Sequence, residues 1–167
     1  TICVPSRDWK HVNALGGGQY GFAAGGGESG YVTNDPLNPD IFYAGSYGGT
    51  LDRYDRTTGQ ARASNVLPDN PMGYSASEVA ERFQWTFPIV YSPLDPKVLY
   101  ASSQHLFRTT DGGQSWQASG RLPEEFYPHA SRFVSLDEGW VGGLNGFIYH
   151  TLDAGQSWQR QATPSAA

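Results

Sequence analysis

Between Asp69 and Trp85 the chain gathers Asp69, Asn70, Tyr74, Glu78, Glu81, Arg82, Gln84 and Trp85 in one short stretch. Carboxylates and amides bond sugar hydroxyls, and an aromatic ring offers a flat face to a sugar ring, so this set holds the parts of a carbohydrate site. Glycoside hydrolysis asks for two carboxylates about 5–10 Å apart, one of them with a raised pKa. Asp69, Glu78 and Glu81 are therefore the catalytic candidates. Asn70, Tyr74, Arg82, Gln84 and Trp85 are the binding candidates, joined from farther up the chain by Glu28. The plainer reading of the same stretch is a solvated helix on which Arg82 pairs with Glu78 one turn away, while Trp85 enters the core.

Other chemistries find less support. His11, His105, His129 and His150 lack metal-ligand spacing and have no cysteine partners, so neither a metal nor a cofactor is expected. Asp35, Asp40 and Asp55 are turn carboxylates of the kind calcium uses, but no dedicated loop pattern surrounds them. Gly25-Gly26-Gly27-Glu28-Ser29-Gly30 lacks the Lys-Ser/Thr ending of a phosphate loop and any following helix, which leaves close backbone packing as its expected role. Ala44-Gly45-Ser46-Tyr47-Gly48 misses the first glycine of a nucleophile elbow and runs on into another strand.

The charge balance narrows the partners. A formal net charge of −5, a pI near 5.2 and scattered arginines leave no basic stripe to neutralise a phosphate backbone, so nucleic acid is not an expected partner. No run of about 18 apolar residues predicts a membrane span. The start, Thr1-Ile2-Cys3-Val4-Pro5, has no charged or apolar signal region and no Met, which reads as a processed or truncated N-terminus. Cys3 is alone, so no internal disulfide forms and the redox compartment stays open.

The elements that must carry these residues are set by a repeat. Thr109-Thr110-Asp111-Gly112-Gly113-Gln114-Ser115-Trp116-Gln117 returns as Thr151-Leu152-Asp153-Ala154-Gly155-Gln156-Ser157-Trp158-Gln159. The period is about 42 residues, which a four-stranded propeller blade occupies. Upstream of each copy lies a strand, a turn and a strand: Val98 to Ser102 then Leu106 to Thr109, and Gly139 to Gly143 then Phe147 to His150. A weaker copy, Ile41 to Gly45 then Thr50 to Gln60, keeps an Asp and a Gly but loses the Trp. Gly 21, Pro 11 and aromatic content of 14% fit short strands joined by tight turns, and no apolar period of a helix runs through them.

Each repeat has a physical logic. An Asp entering a tight turn accepts N–H groups just ahead of it, and Gly113 or Gly155 supplies the positive φ that closes the hairpin. Ser115 or Ser157 ties the turn, and Trp116 or Trp158 folds back over apolar neighbours. Burying an indole is worth roughly 2–4 kcal/mol against about 1 kcal/mol for each turn hydrogen bond, so packing is expected to dominate.

These residues, Asp111, Gly113, Ser115, Trp116 and Asp153, Gly155, Ser157, Trp158, resemble the Asp-box, or BNR, pattern of sialidases, sortilin-type receptors, xyloglucanase-like hydrolases and photosystem-assembly propellers. The resemblance implies a structural hairpin on the blade periphery, away from any active site. A second resemblance, from Thr1 to about Arg121, is to bacterial exported sortilin-like or glycosyl-hydrolase-like propellers, on Gly25 to Gly30, Asp35-Pro36 through Gly49, and Arg82-Phe83-Gln84-Trp85-Thr86-Phe87-Pro88-Ile89. Residues 130–162, with Leu136-Asp137-Glu138-Gly139-Trp140-Val141, look more like photosystem-stability-factor blades. The three arginines and the Tyr–Glu pair of a sialidase are not recognisable here, nor are the catalytic aspartate motifs of xyloglucanases.

The expectation is therefore an all-β chain of β-propeller blades, each of four antiparallel strands. About three blades, near 31–65, 83–120 and 130–162, follow an N-terminal partial blade, with an insertion at 66–82 where Ser75 and Glu78 form a capping box for a two-turn helix. The whole of 1–167 forms one domain. Three blades do not close a ring, so the exposed faces call for further copies of the chain or the remainder of a longer one. The expected function is a non-catalytic module for protein or glycan recognition or assembly, extracellular or periplasmic. The alternatives are a glycoside-hydrolase-like domain and a structural subunit of a ring or filament.

Overall fold

The computed structural model describes residues 2–3, 22–23, 30–75, 77–122, 126 and 128–162. Glu28 and the glycine run around it lie outside these residues. β1 (Ile2–Cys3) and β2 (Phe22–Ala23) form a short antiparallel pair. Three four-stranded antiparallel sheets follow. The first holds β3 (Val32–Asp35), β4 (Asn38–Gly45), β5 (Leu51–Asp55) and β6 (Gln60–Ala63). The second holds β7 (Ile89–Tyr91), β8 (Leu99–Ser102), β9 (His105–Thr109) and β10 (Gln117–Arg121). The third holds β11 (Pro128–Phe133), β12 (Gly139–Gly143), β13 (Ile148–Thr151) and β14 (Gln159–Arg160).

Each sheet is a meander in which every strand pairs with its neighbour in sequence, the topology of a propeller blade. Short aromatic and β-branched runs cut by Gly and Asn turns favour strands of this length over helices. The all-β, three-blade expectation is met.

The blades pack through large side chains. Ile41, Tyr43 and Leu51 of the first blade meet Ile89, Leu99, Ala101 and Phe107 of the second in one buried cluster. Val98, Tyr100 and Leu106 on the opposite face of the second blade meet Phe133 of the third. The two junctions repeat an aromatic contact. Tyr43 lies edge-on to Tyr91 with centroids 5.9 Å apart, and Tyr100 stacks on Phe133 at 4.6 Å.

One local expectation fails. Among the described residues no α-helix forms, and 75 and 77–82 are turn and loop. Only half of the capping box forms: Ser75 N–H donates to Glu78 Oε2 at 2.9 Å, but the Ser75 hydroxyl donates to the same oxygen at 2.6 Å and the Glu78 N–H bonds the Ser75 carbonyl at 3.0 Å instead of that hydroxyl. Downstream, however, the buried side chain of Gln104 accepts from Arg82 N–H at 2.7 Å and donates to the Ala80 carbonyl at 3.1 Å. Those are the backbone groups a second turn would need, and a helix this short does not sustain itself against such competition.

Candidate functional site

In a four-stranded meander the turn after the second strand and the connection leaving the fourth emerge at the same end. The β4–β5 turn and the 64–88 connection therefore share one rim, and the Asp-box hairpins occupy the other.

The cleft rim is built by local turn chemistry. Asn70 Oδ1 accepts Met72 N–H at 3.1 Å, and Tyr74 N–H bonds the Pro71 carbonyl at 3.2 Å. Phe83 then swings over the β4–β5 turn, where Gly49 has φ 82° and a Cβ would sit 2.3 Å from the Phe83 ring. Phe83 also contacts Phe87 and Phe107, with centroids 4.9 and 6.4 Å away, which anchors the connection to the blade core. Glu81 fixes the far end: Oε1 bonds His105 Nδ1 at 2.8 Å, and Oε2 accepts the Ser103 hydroxyl.

These turns enclose a cleft of about 290 Å³ lined by Asp69, Tyr74, Glu78 and Glu81 above Leu67 and Phe83. Asn70 also lines it, whereas Arg82, Gln84 and Trp85 do not. Gln84 Oε1 accepts Thr86 N–H at 2.6 Å. Trp85 is 51% exposed, not in the core as the helix reading has it, and its ring lies 5.2 Å from that of Tyr47. The Arg82–Glu78 ion pair of the helix reading does not form between these two described residues, in a stretch that is not helical; Ser75 holds Glu78 Oε2. The Ser75 hydroxyl and then its N–H hold the Glu78 carboxyl below its ordinary value, opposite to the raised pKa that a general acid needs. Gly48, Gly49 and Phe83 line the cleft although the sequence reading did not single them out for it, whereas Tyr47, immediately before Gly48, meets Trp85 outside the lining.

On the opposite rim Asp111 Oδ1 accepts Gln114 N–H at 2.9 Å and Ser115 N–H at 3.0 Å, and Oδ2 accepts the Ser115 hydroxyl at 2.5 Å. Thr109 Oγ1 donates to Asp111 and accepts Gly113 N–H at 3.0 Å. Asp153, Ser157, Thr151 and Gly155 repeat the arrangement, with Ser157 N–H 2.8 Å from Asp153 Oδ1. The serine hydroxyls, then the serine N–H groups, pull both carboxyls down, Asp153 to about 2. In the weaker copy Asp55 is held below its ordinary range by the Thr57 hydroxyl and N–H.

Each hairpin docks on the blade before it. Trp116 Nε1 donates to the Ser64 carbonyl at 3.1 Å, and the Ser64 hydroxyl donates to the Gly113 carbonyl at 2.8 Å. Tyr43 and Arg62 both donate to the Gly112 carbonyl, at 3.0 and 2.7 Å. Trp158 packs between the second and third blades, touching the Tyr100–Phe133 cluster and the cluster of Leu122, Phe126, Val141 and Tyr149.

Meander blades locked by Asp-box hairpins define a BNR-type β-propeller. More particularly, residues 88–164 match the family described as Photosynthesis system II assembly factor YCF48, so the match takes in the second blade as well as the third. Among solved structures, YCF48 from Cyanidioschyzon merolae is 17% identical with a TM-score of 0.50, over 77% of this chain and 35% of its own. A structure titled YCF48 bound to D1 peptide is 15% identical with a TM-score of 0.49, over 83% of this chain and 44% of its own. The chain thus spans less than half the length of either. No curated protein sequence matches.

Proposed function

We propose that this chain is a non-catalytic propeller module that docks a protein partner on the rim bearing the 64–88 connection. The observation that carries the reading is the exposure of Met72 (58%), Tyr74 (64%) and Trp85 around a cleft held by fixed turns. Tyr, Trp and Met are the residues enriched where proteins meet, and a rigid backbone lowers the ordering cost of contact. The family match over residues 88–164, whose description is an assembly factor, supports the same direction.

The test is cross-linking mass spectrometry with a photoreactive residue at position 72, read in Tyr74→Ala/Trp85→Ala and in Gln114→Ala on the opposite rim. Loss of the cross-linked partner only in the first variant is expected. Equal capture by both would overturn the reading, and so would turnover of an oligosaccharide that is abolished by Glu78→Gln.

The proposal extends to the outer face of the third blade, which is covered by a second copy of the chain or by the remainder of a longer one. Trp140 and Ile148 hold there the positions that Tyr100 and Leu106 hold in the second blade, as the strand registers show.

A further inference from the structure

The rim cleft has a charge character that the partner-docking reading does not explain. Its lining carries Asp69, Glu78 and Glu81, and no lysine, arginine or histidine is among the lining residues. The three carboxylates differ in availability. Glu81 is spent on Ser103 and His105, and one oxygen of Glu78 is spent on Ser75. Asp69 is exposed, and among the described residues no group hydrogen-bonds or pairs with it.

Below the carboxylates, Leu67 and Phe83 give the cleft an apolar floor, and both pack against the buried cluster between the first two blades. Outside the lining, the ring of Tyr47, which precedes the lining Gly48 in sequence, lies 5.2 Å from that of Trp85 at 45°. At about 290 Å³ the cleft sits at the lower bound of small-ligand pockets, so it fits one long side chain better than an oligosaccharide.

Apolar lining from Leu67 and Phe83 together with an exposed, unpaired carboxylate matches one kind of occupant. A lysine or arginine has an aliphatic stem that seeks apolar surface and a cationic head that seeks a carboxylate or a ring face.

We propose that the cleft receives a basic side chain, arginine or lysine, from an extended segment of the partner protein, its stem against Leu67 and Phe83 and Asp69 as its counter-ion. This rests on the reading that the rim docks a protein, and it names the chemistry of the anchor. The charge also sets selectivity: an acidic segment meets uncompensated repulsion at the same place.

The test is titration of the whole chain with capped pentapeptides Ala-Ala-X-Ala-Ala, X being arginine, lysine, norleucine or glutamate, followed by amide NMR shifts. The arginine and lysine peptides are expected to shift Gly48, Gly49 and Glu78, with norleucine at least about tenfold weaker and glutamate without effect. Asp69→Asn, an exposed isosteric change, is expected to weaken the arginine peptide about tenfold while leaving the norleucine peptide unchanged. Norleucine binding as tightly as arginine, or Asp69→Asn without effect, would refute the cationic anchor and leave rim docking standing. No shift with any peptide also overturns the anchor. Rim docking falls separately, if partner capture survives Tyr74→Ala/Trp85→Ala.

Discussion

A single carboxylate organises each Asp-box turn, and its protonation is where acid attacks this fold. Asp111 and Asp153 are stabilised as anions by hydroxyl and N–H donors that have no counterpart in the unfolded chain. Their contribution is fully present above the unfolded carboxyl value near about 3.9 and is lost as pH falls toward about 2. Urea midpoints should therefore hold steady, as far as these groups are concerned, down to about pH 5 and then fall. Asp153→Asn should lower the midpoint at neutral pH and flatten that acid limb; an unchanged limb in both Asp111→Asn and Asp153→Asn would show that other groups control it. The two boxes differ at one backbone position. Gly112 has φ 70° and its equivalent Ala154 has φ 59°, a left-handed conformation that costs an alanine about 1 kcal/mol or more. Ala154→Gly should raise stability by roughly 0.5–1 kcal/mol in denaturant unfolding, whereas Gly112→Ala should lower it.

Hairpins and strands act as locks between blades, and the lock depends on small groups where backbones meet. A Cβ on Gly120, beside the third-blade hairpin, would stand 1.8 Å from the Gln156 carbonyl oxygen, so the two backbones approach only because that position is bare. Gly120→Ala should cost about 1–3 kcal/mol through displacement of the hairpin, read as a lower denaturant midpoint. The tryptophans separate packing from hydrogen bonding. Trp116 donates to the Ser64 carbonyl, while Trp158 Nε1 is buried with no partner among the described residues. Trp116→Phe should therefore cost about 1 kcal/mol more than Trp158→Phe. The 75–82 stretch shows the limit of local signals. One half of the Ser75–Glu78 capping box is present, the Ser75 N–H on the Glu78 carboxylate, but Gln104, distant in sequence, claims the following peptide groups and turns a helix start into a loop.

At the scale of the molecule, three blades fan around their inner strands, and the Tyr31 hydroxyl reaches the His129 carbonyl at 2.9 Å between the first and third blades. If a second copy covers the third blade, sedimentation should show a mass above that of the 18.2 kDa monomer, returning to monomer in Ile148→Arg. A monomer at every concentration would remove that part of the proposal. The blade architecture was legible in the chain because its determinants are local: an Asp, a Gly and an aromatic at fixed offsets close a hairpin wherever they occur, and their recurrence counts the blades. The rim cleft was only half legible. Asp69, Asn70, Tyr74, Glu78 and Glu81 are near neighbours in sequence and do share the cleft. Trp85 as an exposed ring beside Tyr47, Glu81 tied to His105 and Phe83 seated on Gly49 depend on contacts between segments remote in sequence. Turn chemistry is decided within a few residues and can be read along the chain. Which face a side chain shows, and what it meets there, is decided when blades pack, because packing sums many weak contacts between distant segments and overrides local preference.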